Sequence, residues 1–242
     1  MERLDGKTAL VTGASRGIGK AIAQAYARAG ARLVISARGE EDLKRTADEI
    51  ESNGGVVRWE VADLTEVRET VRVVRSAERY YGALDIVVNN AGILGPRAPI
   101  VGYPLPSWEA VLKSNLTTVF LVCKEALNLM IPRRQGSIIN VSSGVGRVGR
   151  ACWGAYAVSK FGVEGLTQIL AEETRDKNVR VNAVNPGGTR TAMRAQAYPE
   201  EDPQSLPTPD EVTGVFLYLA SDASREVTGK SFDARDWLAK SR

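Results

Sequence analysis

Two kinds of segment alternate strictly along this chain, and that alternation constrains its fold more than any other feature. Short apolar runs ending at glycine or a turn residue read as strands: "KTALVTG", "ARLVISAR", "VVRWEVAD", "ALDIVVNNAG", "GSIINVSS", "VRVNAVNPG" and the short "KSFDA". Stretches with helical spacing lie between them. In "GIGKAIAQAYARAG", Ile18, Ile22, Ala25 and Tyr26 share a face and Gly30 is the stop. "EEDLKRTADEIESNGG" is acid-rich at its start and ends at Gly54 and Gly55; "TEVRETVRVVRSAERYYG" has Thr65 in N-cap position. After a Pro-rich connection (Pro96 to Pro106) come helices through "SNLTTVFLVCKEALNLM", "AYAVSKFGVEGLTQILAEET" and "PDEVTGVFLYLAS". Alternation of this kind predicts an α/β fold, a doubly wound parallel sheet with helices on both faces. With no internal repeat or linker, residues 1–242 read as one domain.

Composition narrows the function by exclusion. The net charge of 32 − 29 = +3 and the lack of a dense Lys/Arg run argue against a nucleic-acid partner. No uncharged apolar stretch is long enough to span a bilayer, and the N-terminus carries charges at once with no apolar signal run. Cys123 and Cys152 are isolated, so a reducing cytoplasm is the expected compartment. The chain contains no histidine, which excludes Ser-His-Asp and Cys-His nucleophile systems and His-ligated zinc; no metal is expected. Any proton transfer needs another carrier. Tyr156 and Lys160, four residues apart, would share one helix face.

"TGASRGIG" lies between the first strand and its helix, with glycines at 13, 17 and 19. Glycine there serves a tight turn, close approach of backbone to a phosphate, and tight packing of helix on strand. The helix N-terminus offers free N–H groups and partial positive charge to a pyrophosphate. The second strand ends Ile35-Ser36-Ala37-Arg38, without the carboxylate that grips the ribose of NAD. Arg38, aided by Arg16 and Ser36, suits a 2′-phosphate, which points to NADP(H). Asp63 can accept from an adenine amino group or start the next helix.

Together with "NNAG" (Asn89 to Gly92), Asn115 in "KSNL", Ser143 in "NVSS" and "YAVSK", the glycine pattern resembles the short-chain dehydrogenase/reductase superfamily over about residues 6 to 234. The resemblance implies a Rossmann-type sheet of about seven strands and a catalytic set of Asn115, Ser143, Tyr156 and Lys160. In that set Tyr156 exchanges the proton, Ser143 polarises the carbonyl oxygen, and Lys160, together with the cationic nicotinamide when oxidised, lowers the tyrosine pKa toward neutrality and also holds the nicotinamide ribose. Asn115 anchors a water beside Lys160. The neighbouring Ser142 would point the opposite way along its strand. The resemblance also implies a cofactor site that takes in Gly13, Ser15, Arg16, Gly17, Ile18, Gly19, Ser36, Arg38, Asp63, Leu64, Asn90, Ala91 and Gly92. On the nicotinamide side it adds Tyr156, Lys160, Pro186, Gly187, Thr189 and Thr191.

The sequence departs from that pattern in two places. "AMRAQAYPEEDPQSLP" makes a short substrate lid whose prolines at 199, 203 and 207 oppose regular helix. The end, "TGKSFDARDWLAKSR", lacks the family's glycine-rich tail. Such a lid implies an open site, or one completed by another subunit. The expected reaction is hydride transfer between NADP(H) and a carbonyl or secondary alcohol. Substrate candidates run from 3-oxoacyl thioesters, as in acyl-carrier-protein reductases, to steroids, sugars and small diketones. Arg133, Arg134 and Lys177 stand where carrier-protein reductases keep basic residues, though basic residues at helix ends are also dipole partners. A non-catalytic NADP-binding scaffold or sensor is the competing class. Apolar residues beyond one core face on the "LTTVFLVCKEALNLM" and "VSKFGVEGLTQILAEE" helices predict a homo-oligomer, a tetramer or dimer.

Overall fold

The computed structural model describes residues 2–241, with side chains placed through residue 238. Seven strands form one sheet: β1 (Thr8–Thr12), β2 (Arg32–Ala37), β3 (Val56–Val61), β4 (Ile86–Asn89), β5 (Gly136–Val141), β6 (Val179–Asn185) and β7 (Ser231–Asp233). Their order is β3-β2-β1-β4-β5-β6-β7, every pairing parallel. The chain reverses direction across the sheet between β1 and β4, and the carboxyl ends of the strands there open the crevice in which such sheets bind ligands.

Strand alternation sends neighbouring residues into two cores. Ala9, Val11 and Ile35 meet Ile22 and Tyr26 of α1 (Gly17–Arg28), Leu43 of α2 (Glu40–Ser52) and Phe216 of α8 (Gly214–Ala220). Leu10, Val34 and Ile138 face the other way, toward Val73 of α3 (Val67–Tyr81), Val122 of α5 (Thr118–Arg133) and Val163 of α6 (Gly154–Glu173). β1 and β5 are buried along their whole length, as a sheet covered on both faces requires.

Three local expectations are corrected. The Pro-rich connection is partly helical: α4 spans Leu105–Leu112, with Pro106 in its first turn, where no N–H is needed. A π-helical turn, Lys113–Thr117, joins α4 to α5. Thr65 does not cap α3; its N–H donates to Asp63 Oδ1 at 3.0 Å, and the helix begins two residues later. The last α-helix starts at Gly214 rather than near Pro209. Gly30 does close α1, with φ 95° in the left-handed region.

Candidate active site

β1 delivers the chain to the glycine turn, and the turn is fixed from β4. Thr12 Oγ1 accepts from the N–H groups of Asn90 and Ala91 at 3.0 and 3.1 Å. Asn90 Nδ2 donates back to the Thr12 and Gly13 carbonyls at 3.0 and 3.1 Å. Gly13 has φ 65°, and a Cβ there would stand 2.8 Å from Ala91 Cα. A Cβ on Gly19 would stand 2.3 Å from Gly13 O, so its absence lets α1 approach the strand. α1 starts without a side-chain cap or an acidic residue in its first turn, which leaves its N–H groups and partial positive charge facing the crevice.

That crevice is a cavity of about 910 Å³ running from Arg38 to the far side of Tyr156. Every residue expected at the cofactor or catalytic site lines it except Gly19, beneath the turn, and Asn115. At one end Ser36 is fully buried, and its Oγ makes no hydrogen bond among the described residues. The side chains of Arg16 and Arg38, which line the same cavity, enter no described hydrogen bond or salt bridge. The Thr65 N–H holds the Asp63 carboxyl below its ordinary range, so Asp63 faces the cavity ionised. An orphaned hydroxyl and two free guanidinium groups in one cavity fit a phosphate monoester.

At the other end Ser143 follows β5 in extended conformation, and α6 brings Tyr156 and Lys160 onto one face. Lys160 is 5% exposed; its Nζ donates to Val141 O at 2.7 Å and lies 5.7 Å from the centroid of the Tyr156 ring. The expected lowering of the tyrosine pKa by Lys160 and an oxidised nicotinamide concerns the loaded site; among this chain's own groups burial acts the other way. Desolvation pushes the Tyr156 phenol up to about 12, with the Ser143 hydroxyl acting the other way. Desolvation also brings Lys160 down to about 8, while Glu164 opposes it. Tyr156 therefore holds its proton across the neutral range. Ser142 is buried with an unbonded Oγ, and Ser143 is the serine that meets Tyr156.

Asn115 sits in the π turn. Its Oδ1 accepts from Ile93 N–H and its Nδ2 donates to Ile93 O, both at 2.8 Å, with a further contact to Ser159 Oγ at 3.3 Å. The amide is committed to holding the chain after "NNAG", an arrangement that strand and helix periodicity do not reveal. Asn89 bonds between strands, its Nδ2 donating to Asn140 Oδ1 at 2.9 Å.

Residues 7–202 match the short chain dehydrogenase family. The chain belongs to that family. It is 43% identical over 235 residues to the oxidoreductase YciK of Escherichia coli strain K12, covering 96% of this chain and 93% of the relative. It is 40% identical to the 3-oxoacyl-[acyl-carrier-protein] reductase FabG of Thermotoga maritima, over 94% of this chain and 96% of that protein. A short-chain dehydrogenase of Shigella flexneri, solved in complex with NADP, superposes with a TM-score of 0.92 at 42% identity, covering 97% of this chain and 99% of the other.

The lid of this dehydrogenase carries what the sequence reading missed. α7 (Ala192–Ala197) is capped by Thr191 Oγ1, which accepts from Arg194 N–H at 3.2 Å. Arg194 forms a bidentate pair with Glu201 at 2.5 and 2.6 Å and stacks 3.8 Å from the Tyr198 ring. Arg190 donates to the Pro203 and Leu206 carbonyls at 2.8 and 3.2 Å. Arg97 bonds Ala197 O and lies 4.8 and 4.9 Å over the rings of Trp153 and Tyr198. Trp153 stands 5.6 Å from Tyr156 and, with Leu94, Val145, Ala157 and Ala197, forms a small apolar cluster. The available signal was "CWGAY": a tryptophan three residues before the tyrosine. Cys152 at φ 64° and Gly154 at φ 35° turn the chain sharply there, and Gly154 packs against the Tyr103 ring, 2.4 Å from where a Cβ would stand.

The three basic residues considered for a carrier protein are engaged within the fold. Arg133 donates to Leu84 O and Asp85 at 2.9 and 2.8 Å, Arg134 to Asp176 O at 2.8 Å, and Lys177 pairs with Asp176 at 2.5 Å. Among the described residues no group of three or more His, Cys, Asp or Glu is placed to hold a metal, and no helix is long and apolar enough to cross a membrane.

Proposed function

We propose that this oxidoreductase uses NADP(H) and moves hydride between the nicotinamide and a carbonyl or secondary alcohol carbon. One observation carries the reading. A single cavity is lined by an unbonded Ser36 hydroxyl, Arg16 and Arg38 as well as by Tyr156, Lys160 and Ser143. Complexes of relatives with NADP support it. Arg16, Ser36 and Arg38 would hold the 2′-phosphate, the N-terminus of α1 the pyrophosphate, and Lys160 the nicotinamide ribose, with the Pro186–Thr191 loop against the carboxamide.

When bound, the reduced cofactor supplies the hydride. The Ser143 hydroxyl donates to the carbonyl oxygen and polarises it. Tyr156, which keeps its proton at neutral pH, delivers that proton to the same oxygen as charge develops there. Asn115 acts through Ile93 by fixing the wall beside the reacting carbonyl, and a water passing protons from Lys160 belongs to the same proposal. Leu94, Trp153, Met193 and Ala197 make the substrate end apolar, which suits the neutral carbonyl region of a 3-oxoacyl thioester or a small ketone. Purified chain, NADPH and a panel of 3-oxoacyl thioesters and ketones would show cofactor oxidation if the reading holds.

We further propose that two copies associate. Val158, Phe161 and Ile169 form an exposed apolar stripe on α6, and Phe120 is exposed on α5. Self-association by a two-fold axis buries such a face against its own copy. Light scattering at micromolar concentration should show a dimer or tetramer; the mass of one chain would contradict this. A reducing cytoplasm fits the two unpaired cysteines.

A further inference from the structure

Two charged groups near Lys160 take no part in the chemistry above. Glu164 lies one turn further along α6, is 8% exposed, and so is a carboxylate sunk beside a buried amine. Its Oε1 accepts from Arg147 Nε at 3.3 Å and from Ser231 Oγ at 3.0 Å. Arg147 belongs to the connection between Ser143 and α6. Its neighbour Gly146 packs on Lys160 so closely that a Cβ would stand 2.8 Å from the lysine backbone. The guanidinium then crosses to β7, donating to Asp233 Oδ2 at 2.8 Å, Ser231 Oγ at 2.6 Å and Phe232 O at 3.2 Å. Asp233 Oδ1 accepts from Asn185 Nδ2 at 2.5 Å, and Asn185 Oδ1 accepts from Gly187 N–H at 3.0 Å. One run of hydrogen bonds therefore joins the carboxylate beside Lys160, the C-terminal strand and the loop at Gly187.

We propose that Glu164, held by Arg147, is a positioning residue that keeps Lys160 charged, and that Asp233 ties the Gly187 loop to the same frame. The inference rests on the oxidoreductase reading for the role of Lys160. Among the described residues the hydrogen-bond partner of Lys160 Nζ is the Val141 carbonyl, and neither it nor Val141 carries a counter-charge. Glu164 supplies that charge from one turn away. A carboxylate so buried is stable when paired, and Arg147 is its pair. The charged groups facing this pair are Lys160 on α6, Arg147 from the preceding connection and Asp233 on β7, with neutral Ser231 and Asn185 completing the run.

Two substitutions should act in opposite directions, which a purely structural role would not produce. Glu164→Gln keeps an acceptor for Arg147 and Ser231 but removes the negative charge. The high-pH limb of kcat for reduction should then move down by about half a pH unit, and the high-pH limb of NADPH affinity with it. Arg147→Gln leaves the Glu164 charge uncompensated and should move both limbs up by a similar amount. Asp233→Ala should raise the NADPH KM about tenfold. If either charge variant fails to fold, the sign of the other decides. Limbs that stay in place, or move the same way in both variants, overturn the proposal. Wild-type turnover with unmoved limbs sinks this inference alone. Affinity limbs that move as expected in a protein that never oxidises NADPH sink the oxidoreductase reading and leave the charge network standing.

Discussion

The two ends of the cavity use arginine in opposite ways. At the adenosine end Arg16 and Arg38 are free of described hydrogen bonds and salt bridges, and the Ser36 hydroxyl of the same cavity is buried without a partner. At the lid end each arginine is engaged inside the protein: Arg97 on Ala197 O, Arg190 on Pro203 O, Arg194 on Glu201 and Arg235 on Gly188 O at 3.1 Å. Unspent donors at one end are a standing site for an anion. Spent donors at the other end tie the 190–206 segment together beside an apolar, aromatic wall, and under the proposed function that end would select by shape rather than by charge.

The largest effect should come from the reacting group itself. Tyr156→Phe keeps the ring against Trp153 and removes the acidic proton, so turnover should fall by about 10²–10⁴-fold. NADPH affinity, measured by calorimetry, should stay within about threefold, because the anion end is untouched. Retention of more than half the activity would show Tyr156 to be a packing residue. Arg38→Asp tests the opposite end. It replaces attraction for a 2′-phosphate with repulsion and should shift the NADPH-to-NADH affinity ratio by about 100-fold toward NADH. Equal affinity of the wild type for the two cofactors would remove the functional distinction between the ends.

Lys160→Met sharpens the comparison through stability. The Lys160 pKa is brought from 10.5 to about 8 by burial, so folding disfavours its charged form. The unfolded chain then binds more protons between those values, and wild-type stability should rise with pH from about 8 to 10.5. Below that window the penalty is constant. The variant should therefore be more stable than wild type near pH 7, by about 3 kcal/mol, in urea melts, with the gap closing by pH 10.5. A variant less stable at pH 7 would show that the bond to Val141 O outweighs desolvation. The smallest effect belongs to the lid: Arg97→Ala should loosen α7 and raise substrate KM about tenfold while leaving NADPH affinity unchanged.

The same contrast explains what could be read from the sequence. The inner strands β1, β4 and β5 and the glycine turn were legible because strands covered on both faces are short apolar runs, and a phosphate turn needs glycine at fixed offsets. Ser36 and Arg38 were legible because the missing acid at the end of β2 is itself informative. α4 was not, because Pro106 looks like a breaker until it is known to occupy a first helical turn. The π turn that aims Asn115 at Ile93 leaves no periodic trace. The burial acting on Tyr156 was not legible, because the i, i+4 lysine is visible in sequence whereas desolvation comes from tertiary packing. The lid arginines were missed because their partners are backbone carbonyls and aromatic faces brought together only by folding.

Hydride transfer itself is tested most directly by following reduced-nicotinamide absorbance when purified wild-type chain and Tyr156→Phe are each mixed with NADPH and a panel of neutral 3-oxoacyl thioesters and ketones. The account expects wild type to oxidise NADPH with at least one neutral carbonyl, and Tyr156→Phe to bind NADPH equally well yet oxidise almost none. Tight NADPH binding by wild type without oxidation across the panel would contradict it and point to a cofactor-binding protein that does no hydride chemistry.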